Sequence, residues 1–194
     1  MQVITLRGPD QIRPFLEDIA RLRIAVFREW PYLYDGTMEE EEKYLGHFAS
    51  SPHAVIGIAR ENDEIVGAAT ADPFSSAHGD FRAPFEAADM KTEKIFYFGE
   101  SILLPEYRGL GVGHAFFDLR EAAARDWGAD MTAFCAVQRP ASHPAKPADY
   151  RPLDAFWQGR GYEKRDDLVC SFSWKDVGAA TESRKPMTFW VRAL

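Results

Sequence analysis

Between Tyr107 and His114 the chain reads Tyr-Arg-Gly-Leu-Gly-Val-Gly-His, with three glycines at alternate positions directly ahead of a segment with helical periodicity. Such glycines leave main-chain N–H groups uncovered by side chains. A helix N-terminus adds partial positive charge at the same place, so the turn suits a phosphate. A tight turn alone would need one glycine for positive φ, and three exceed that need. The flanking residues decide which phosphate. A nucleotide-binding loop wants Lys followed by Ser or Thr after its last glycine, where this chain has His114 and Ala115. The dinucleotide fingerprint G-x-G-x-x-G fails at His114 in one frame and at Phe116 in the next. What remains is Arg-x-x-Gly-x-Gly, from Arg108 through Gly111 to Gly113, covering Gly109, Leu110 and Val112 on the way.

A second candidate lies just upstream. Counting by twos along the apolar run KIFYFGESILL, residues Phe96, Phe98, Glu100, Ile102 and Leu104 share one face, which sets a carboxylate in an apolar row. A bulge near Gly99 would alter that parity. A partly desolvated Glu has its pKa raised toward what a general base needs near neutral pH. The competing reading is a Glu paired to an Arg or turned to solvent at a bulge.

A third candidate is the stretch from Arg28 to Gly36, which packs Trp30, Tyr32, Tyr34 and Asp35 around Pro31. Aromatics beside carboxylates form an amine pocket through cation–π attraction and charge pairing. The same residues would equally serve as a staple holding the connection down.

These groups need elements to position them. Gln2 to Arg7 alternates as a strand rather than a secretion leader. Pro9-Asp10 opens a long helix on which Ile12, Phe15, Leu16, Ile19, Leu22 and Val26 recur at helical spacing. Thr37 and Glu40 form a capping box for a second helix with the stripe Tyr44, Leu45 and Phe48. The run Glu39 to Glu42 is expected to face water and complement the helix dipole. Ala54–Arg60 and Glu64–Ala71, joined at Asn62-Asp63, read as a hairpin. Residues 74–92 suggest an insertion, either a short helix or a flap. The apolar run 94–104 is a strand ended by Pro105, and the helix after the glycines stops at Gly128. Met131–Gln138 is a strand, 139–150 a proline-marked loop, and Pro152 opens a helix through Leu153, Phe156 and Trp157 that stops at Gly159 or Gly161. Leu168–Trp174 and Met187–Val191 are the last strands, with 175–186 expected as a polar surface loop.

Composition narrows the classes. The chain has 194 residues, 46% hydrophobic and 27% charged, enough for one core and with no internal shift marking a second domain, so a single domain over 1–194 is expected. No apolar run nears the ~18 residues of a membrane span. With 23 basic and 30 acidic residues the net charge is −7, the wrong sign for nucleic acid or anionic lipid and better suited to a cationic substrate. Cys135 and Cys170 sit in strand-like runs as buried, reduced thiols, which fits a cytoplasmic location. His114 and His143 lack partners at ligand spacing, so no metal is expected.

The apolar strand ending in Leu-Pro, the Arg108–Gly113 turn and the following helix together resemble motif A of the GNAT acetyltransferases. The order β-α-α-β-β-β-α-β-α-β-β resembles that fold across nearly the whole chain, an α/β architecture with a central mixed sheet flanked by helices. Phe156 to Tyr162 is similar to the family's second signature. The resemblance implies acetyl-coenzyme A as cosubstrate and a small-molecule or peptide amine as acceptor. It implies that Ile102, Leu103 and Leu104 meet the pantetheine arm and that Arg108 through His114 cradle the pyrophosphate. It also implies that the Trp30–Asp35 loop meets the substrate, and direct attack on the thioester with Glu100 as base. A backbone N–H around Leu103 would stabilise the oxyanion. The chain departs from the family at Trp157, where many members have a Tyr that protonates the thiolate. Tyr150, or water, is the substitute, and His143, Arg139 and Lys146 are further candidates for contacting substrate or phosphate. A binding module that senses acyl-coenzyme A or an amine is the alternative from another class. Oligomeric state is left open, a homodimer being one option.

Overall fold

The computed structural model describes all 194 residues, Met1 to Leu194. In chain order the elements are β1 (Gln2–Arg7), α1 (Gly8–Ile12), α2 (Leu16–Phe27), α3 (Met38–Leu45), β2 (Val55–Glu61) and β3 (Glu64–Pro73). They continue with α4 (Gly79–Ala87), β4 (Ile95–Leu103), α5 (Val112–Trp127), β5 (Met131–Val137), α6 (Asp154–Gly159), β6 (Glu163–Lys175) and β7 (Glu182–Ala193). No helix is long and apolar enough to cross a membrane.

The strands form one seven-stranded sheet in the order β1-β2-β3-β4-β5-β7-β6. All neighbours are antiparallel except β4 and β5, which run parallel as a crossover through α5 requires. Helix α5 covers one face, where Phe117, Ala123 and Ala124 pack on Phe96, Phe98 and Phe134. Helices α2 and α3 cover the other face, with Ile19, Leu22, Leu45 and Phe48 against Ile56, Ala68 and Ile102. A third apolar cluster, around Phe74, Phe85, Tyr97 and Phe189, seats α4 beside them.

Several local expectations hold for stated physical reasons. Thr37 and Glu40 form the reciprocal capping box that starts α3. Asn62 and Asp63 both adopt positive φ, as a two-residue hairpin turn demands. Gly128 ends α5 in the left-handed conformation.

Two expectations change, for the first helix and for 175–186, and at 74–92 one of the two alternatives is decided. The first long helix is interrupted at Arg13–Phe15 by a 3-10 turn, because Pro14 has no N–H to donate and its ring crowds the preceding turn. Residues 74–92 contain a true helix, α4, whose Phe81 and Phe85 pack inward rather than forming a flap. The polar segment 175–186 is a loop only over 176–181, because the flanking residues extend the strands, with Lys175 opposite Glu182 and Arg184 opposite Ser173. Its polar residues are tolerated there because long cationic side chains can lie on aromatic faces. Lys185 is buried with its ammonium 4.9 Å from the Trp174 ring and 3.2 Å from the Asp176 carboxylate.

Candidate active site

The glycine turn is built as a donor surface. Gly109 and Gly111 have φ of +77° and +85°, with nothing within 4 Å of where a Cβ would stand. They are required by the backbone rather than by crowding. Gly113 has ordinary helical geometry, and its position faces the Phe156 ring. The N–H groups of Tyr107 and Arg108 close the 3-10 turn, and Ala115 N–H bonds to Gly111 O. Between them, from Gly109 to His114, no N–H donates to a protein acceptor. These free donors stand at the N-terminus of the 16-residue α5, where the helix dipole is positive. Arg108 lies alongside, with Nε 3.1 Å from Leu103 O and its far nitrogen 2.9 Å from Glu29. His114 contacts Arg160 at 3.3 Å and the Phe156 ring.

Next to the turn the sheet is split. Strands β4 and β5 pair only at Ile95–Tyr97 with Met131–Ala133, and beyond that they part. Leu104 N–H donates to Val66 O at 2.9 Å, so by antiparallel alternation the Leu103 main-chain groups point away from β3, into the split. Ile102 is paired to Ala68 and its side chain is buried under α2 and α3.

Glu100 stands at a β-bulge. Thr70 opposes both Gly99 and Glu100, since Ala69 pairs with Ser101 while Ala71 pairs with Phe98. The bulge needs a glycine: a Cβ on Gly99 would come within 2.4 Å of Thr70 Oγ. It is held by Glu100 N–H donating to Thr70 Oγ at 3.2 Å. From below, Arg120 of α5 donates to Glu100 O at 3.2 Å and to Ser101 Oγ at 2.7 Å. Burial pushes the Arg120 guanidinium down to about 10. The extra residue flips parity, so the simple alternation is corrected. Phe96 and Phe98 face α5, whereas Glu100 and Ile102 face α2 and α3.

There Glu100 meets partners from distant parts of the chain. Its Oε2 takes 2.9 Å contacts from Arg23 and from the Tyr44 hydroxyl, while the buried Oε1 has no partner. Arg23 also pairs with Glu41. Burial opposes the Arg23 charge, but Glu100, Tyr44 and Glu41 outweigh it and raise its pKa. Burial raises the Glu41 carboxyl as well, with Arg23 opposing. Glu41 therefore corrects the solvated reading of the acidic run: its side chain is 1% exposed.

This Arg23–Glu100 unit floors a cavity of about 690 Å³. Aromatic walls come from Tyr32, Tyr34, Tyr44, Phe81, Tyr97 and Trp174, and four carboxylates, Glu40, Asp72, Asp80 and Glu100, line it against two permanent cations, Arg23 and Lys43. Such a surface favours a cationic, partly apolar guest. Desolvation holds the Tyr44 and Tyr97 phenols protonated, the first helped by the Glu100 charge and the second by Cys135.

Of the four loop residues, Tyr32 and Tyr34 line the cavity and Trp30 and Asp35 do not. Asp35 is clamped by Lys175 at 2.8 Å and Arg28 at 2.7 Å, which hold its carboxyl low. Trp30 packs on His143 and edge-on to Tyr150, with its indole N–H unpartnered. Tyr150 is thus placed beside the loop and away from the cavity lining, its phenol raised by burial and then by Asp154. Arg139 is fully engaged, donating to Pro31 O and Tyr32 O and bidentate to Asp176 at 2.8 Å. Trp157 packs on Phe134 and Trp190.

Sequence reasoning passed over Arg23, Glu41, Asp72 and the α4 aromatics. Signals existed. Arg23 stands four residues after Ile19 and three before Val26, on the buried stripe, and Glu41 shares helical spacing with Tyr44, Leu45 and Phe48.

Comparison with known proteins bears on the family and the fold. Residues 17–148 match the model described as the acetyltransferase (GNAT) family. No curated protein sequence matches the chain. Among solved structures, the ribosomal-protein-alanine N-acetyltransferase from Brucella melitensis superposes with a TM-score of 0.64 at 12% identity, covering 100% of both chains. An acetyltransferase from Thermus thermophilus gives 0.59 at 16% identity over 100% of this chain and 98% of the other. A GCN5-related N-acetyltransferase from Kribbella flavida gives 0.57 at 15% identity, covering 99% and 98%. At these identities the likeness is one of fold.

Proposed function

Because the chain belongs to the acetyltransferase (GNAT) family, we propose that it transfers an acetyl group from acetyl-coenzyme A to a primary amine by direct attack, with Glu100 taking the amine proton. One observation carries this reading: a single strand-turn-helix unit joins uncommitted N–H donors at Gly109–His114 to a buried carboxylate that lines an acidic aromatic cavity and has one oxygen without a hydrogen bond.

The donor set fits a diphosphate, and the β4–β5 split leaves the strand edge at Leu103, flanked by Ile102 and Leu104, beside which a pantetheine arm can lie. Bound acetyl-coenzyme A supplies the activated carbonyl. Leu103 N–H, turned away from β3, donates to that oxygen as negative charge builds on it. Arg23 and Tyr44 fix Glu100 through Oε2 and leave Oε1 for the amine. An amine with a pKa near ~10 arrives protonated, and an ionised carboxylate attracts it. Because an ammonium has no lone pair, it gives one proton to Glu100, directly or through a water, before it attacks; once bonded to carbon the nitrogen becomes acidic and sheds its second proton to water. Tyr150 is the proposed acid for the departing thiolate, a group whose pKa near ~8.5 makes it a tolerable leaving group even without help. Trp30, Tyr32, Tyr34 and Asp35 form the substrate-side loop, the two inner tyrosines touching the acceptor and the other two holding the loop. The reaction is assigned to one domain in the cytoplasm.

The test is free thiol released from acetyl-coenzyme A in the presence of a panel of primary amines. Amine-dependent release that is lost in Glu100→Gln supports the proposal. A rise in Tm with coenzyme A but no thiol release with any amine gives the sensing module instead. No rise in Tm at all removes both.

A further inference from the structure

Two carboxylates in the cavity lining each have a buried oxygen with no hydrogen-bond partner, Glu100 Oε1 and Asp72 Oδ2. Their side chains are 3% and 5% exposed. Each residue's other oxygen is committed. Glu100 Oε2 is held by Arg23 and Tyr44, and Asp72 Oδ1 accepts a 2.7 Å bond from the Ser51 hydroxyl. His47 Nε2 lies 3.2 Å from Asp72 Oδ2, a contact that is an ion pair when the ring is protonated and that makes no hydrogen bond here, on a ring 41% exposed. A buried acceptor left unpaired is costly, and two in one cavity call for two donors.

Their spacing follows from the sheet. Asp72 is opposite Tyr97, and Asp72, Thr70 and Ala68 alternate on the face toward α2 and α3. The bulge turns Glu100 onto that face about two ladder steps along, so the two residues start roughly 8 Å apart, a gap that about four to six methylenes span. The wall near Tyr97 is aromatic, with the Phe81 ring 5.0 Å from Tyr97 and 4.3 Å from Phe172.

We infer that the acceptor is a dication, a primary amine at Glu100 whose second protonated nitrogen docks on Asp72, the two separated by an apolar spacer lying on Tyr97 and Phe81. This inference deepens the acetyl-transfer reading and rests on it. The remaining charged groups of the lining suit it: Glu40 and Asp80 add negative potential, Lys43 is the cavity's only other permanent cation, and His78 contacts Asp80 at 3.4 Å.

The experiment compares kcat/KM for linear α,ω-diamines of three to eight carbons with monoamines of equal length, in the wild-type protein and in Asp72→Asn. The expected result is a wild-type preference for diamines of roughly 10–100-fold, as a charge-assisted bond provides. It peaks at intermediate length and collapses in Asp72→Asn. Equal use of monoamines and diamines by the wild type, or a preference that survives the substitution, overturns the inference. If Asp72→Asn does not fold, the wild-type length series alone decides. If no amine releases thiol, the acetyl-transfer reading fails, and calorimetric binding of 1,5-diaminopentane against 1-aminopentane still decides whether the cavity selects a dication.

Discussion

Arg108, at the head of the glycine turn, is ion-paired with Glu29 at the start of the substrate-side loop, 2.9 Å away. The contact ties two segments far apart in sequence, and both side chains are nearly half exposed, which limits the pair to about 0–1 kcal/mol. A diphosphate at the turn competes with Glu29 for the same guanidinium. Glu29→Gln is therefore expected to lower KM for acetyl-coenzyme A by up to about fivefold, the value of such a pair. Arg108→Gln should raise it about tenfold and flatten its salt dependence. Steady-state kinetics at two ionic strengths check both directions.

The three glycines of the turn are not equivalent. Gly111→Ala forces an L-residue to φ +85°, a strain of about 1–2 kcal/mol, at the N-cap of α5. Thermal unfolding should drop by several degrees and coenzyme A affinity should fall. Gly113→Ala meets only the Phe156 ring at 3.5 Å in an ordinary helical conformation, so its Tm should stay within about 2 °C of wild type. Equal losses in the two variants would contradict a backbone origin.

Glu100→Gln removes the free acceptor while Glu41 still balances Arg23. Turnover should fall about 10²–10⁴-fold, as for loss of a general base, with the coenzyme A-induced rise in Tm retained. Tyr150→Phe separates the proton donor from a packing role: a kcat loss of tenfold or more, with KM for the amine unchanged, marks an acid. A change in KM alone would make Tyr150 a support for Trp30.

Acid stability should report on Asp176. Burial pushes its carboxyl up, but hydrogen bonds from Arg139 and Lys185 prevail and hold it below the usual range. A carboxylate whose folded pKa is depressed stabilises the fold above its unfolded pKa of ~3.9 and loses that contribution as pH falls through the folded value. The urea midpoint of Asp176→Asn should therefore lie below wild type at pH 6 and converge with it as pH drops below about 4. Because Arg139 also grips Pro31 and Tyr32, the variant should raise KM for the amine.

The chain's local patterns determined the glycine turn, the strand before it, the helix after it, the capping box at Thr37 and the Asn62-Asp63 hairpin. Each depends on backbone preferences of residues within one or two turns of each other, which is information that neighbouring side chains carry. The same local reading put Glu100 in the right strand but left its face open between plain alternation and a bulge near Gly99, since a bulge depends on Thr70 opposite and on Arg120 below. Only the tertiary structure brought Arg23 and Tyr44 to Glu100, set Asp72 in the same cavity lining, left one oxygen of each acid without a hydrogen bond, and took Trp30 and Asp35 out of the cavity. A charge's surroundings are assembled from segments distant in the chain, and pairing and burial are properties of that assembly rather than of any stretch within it.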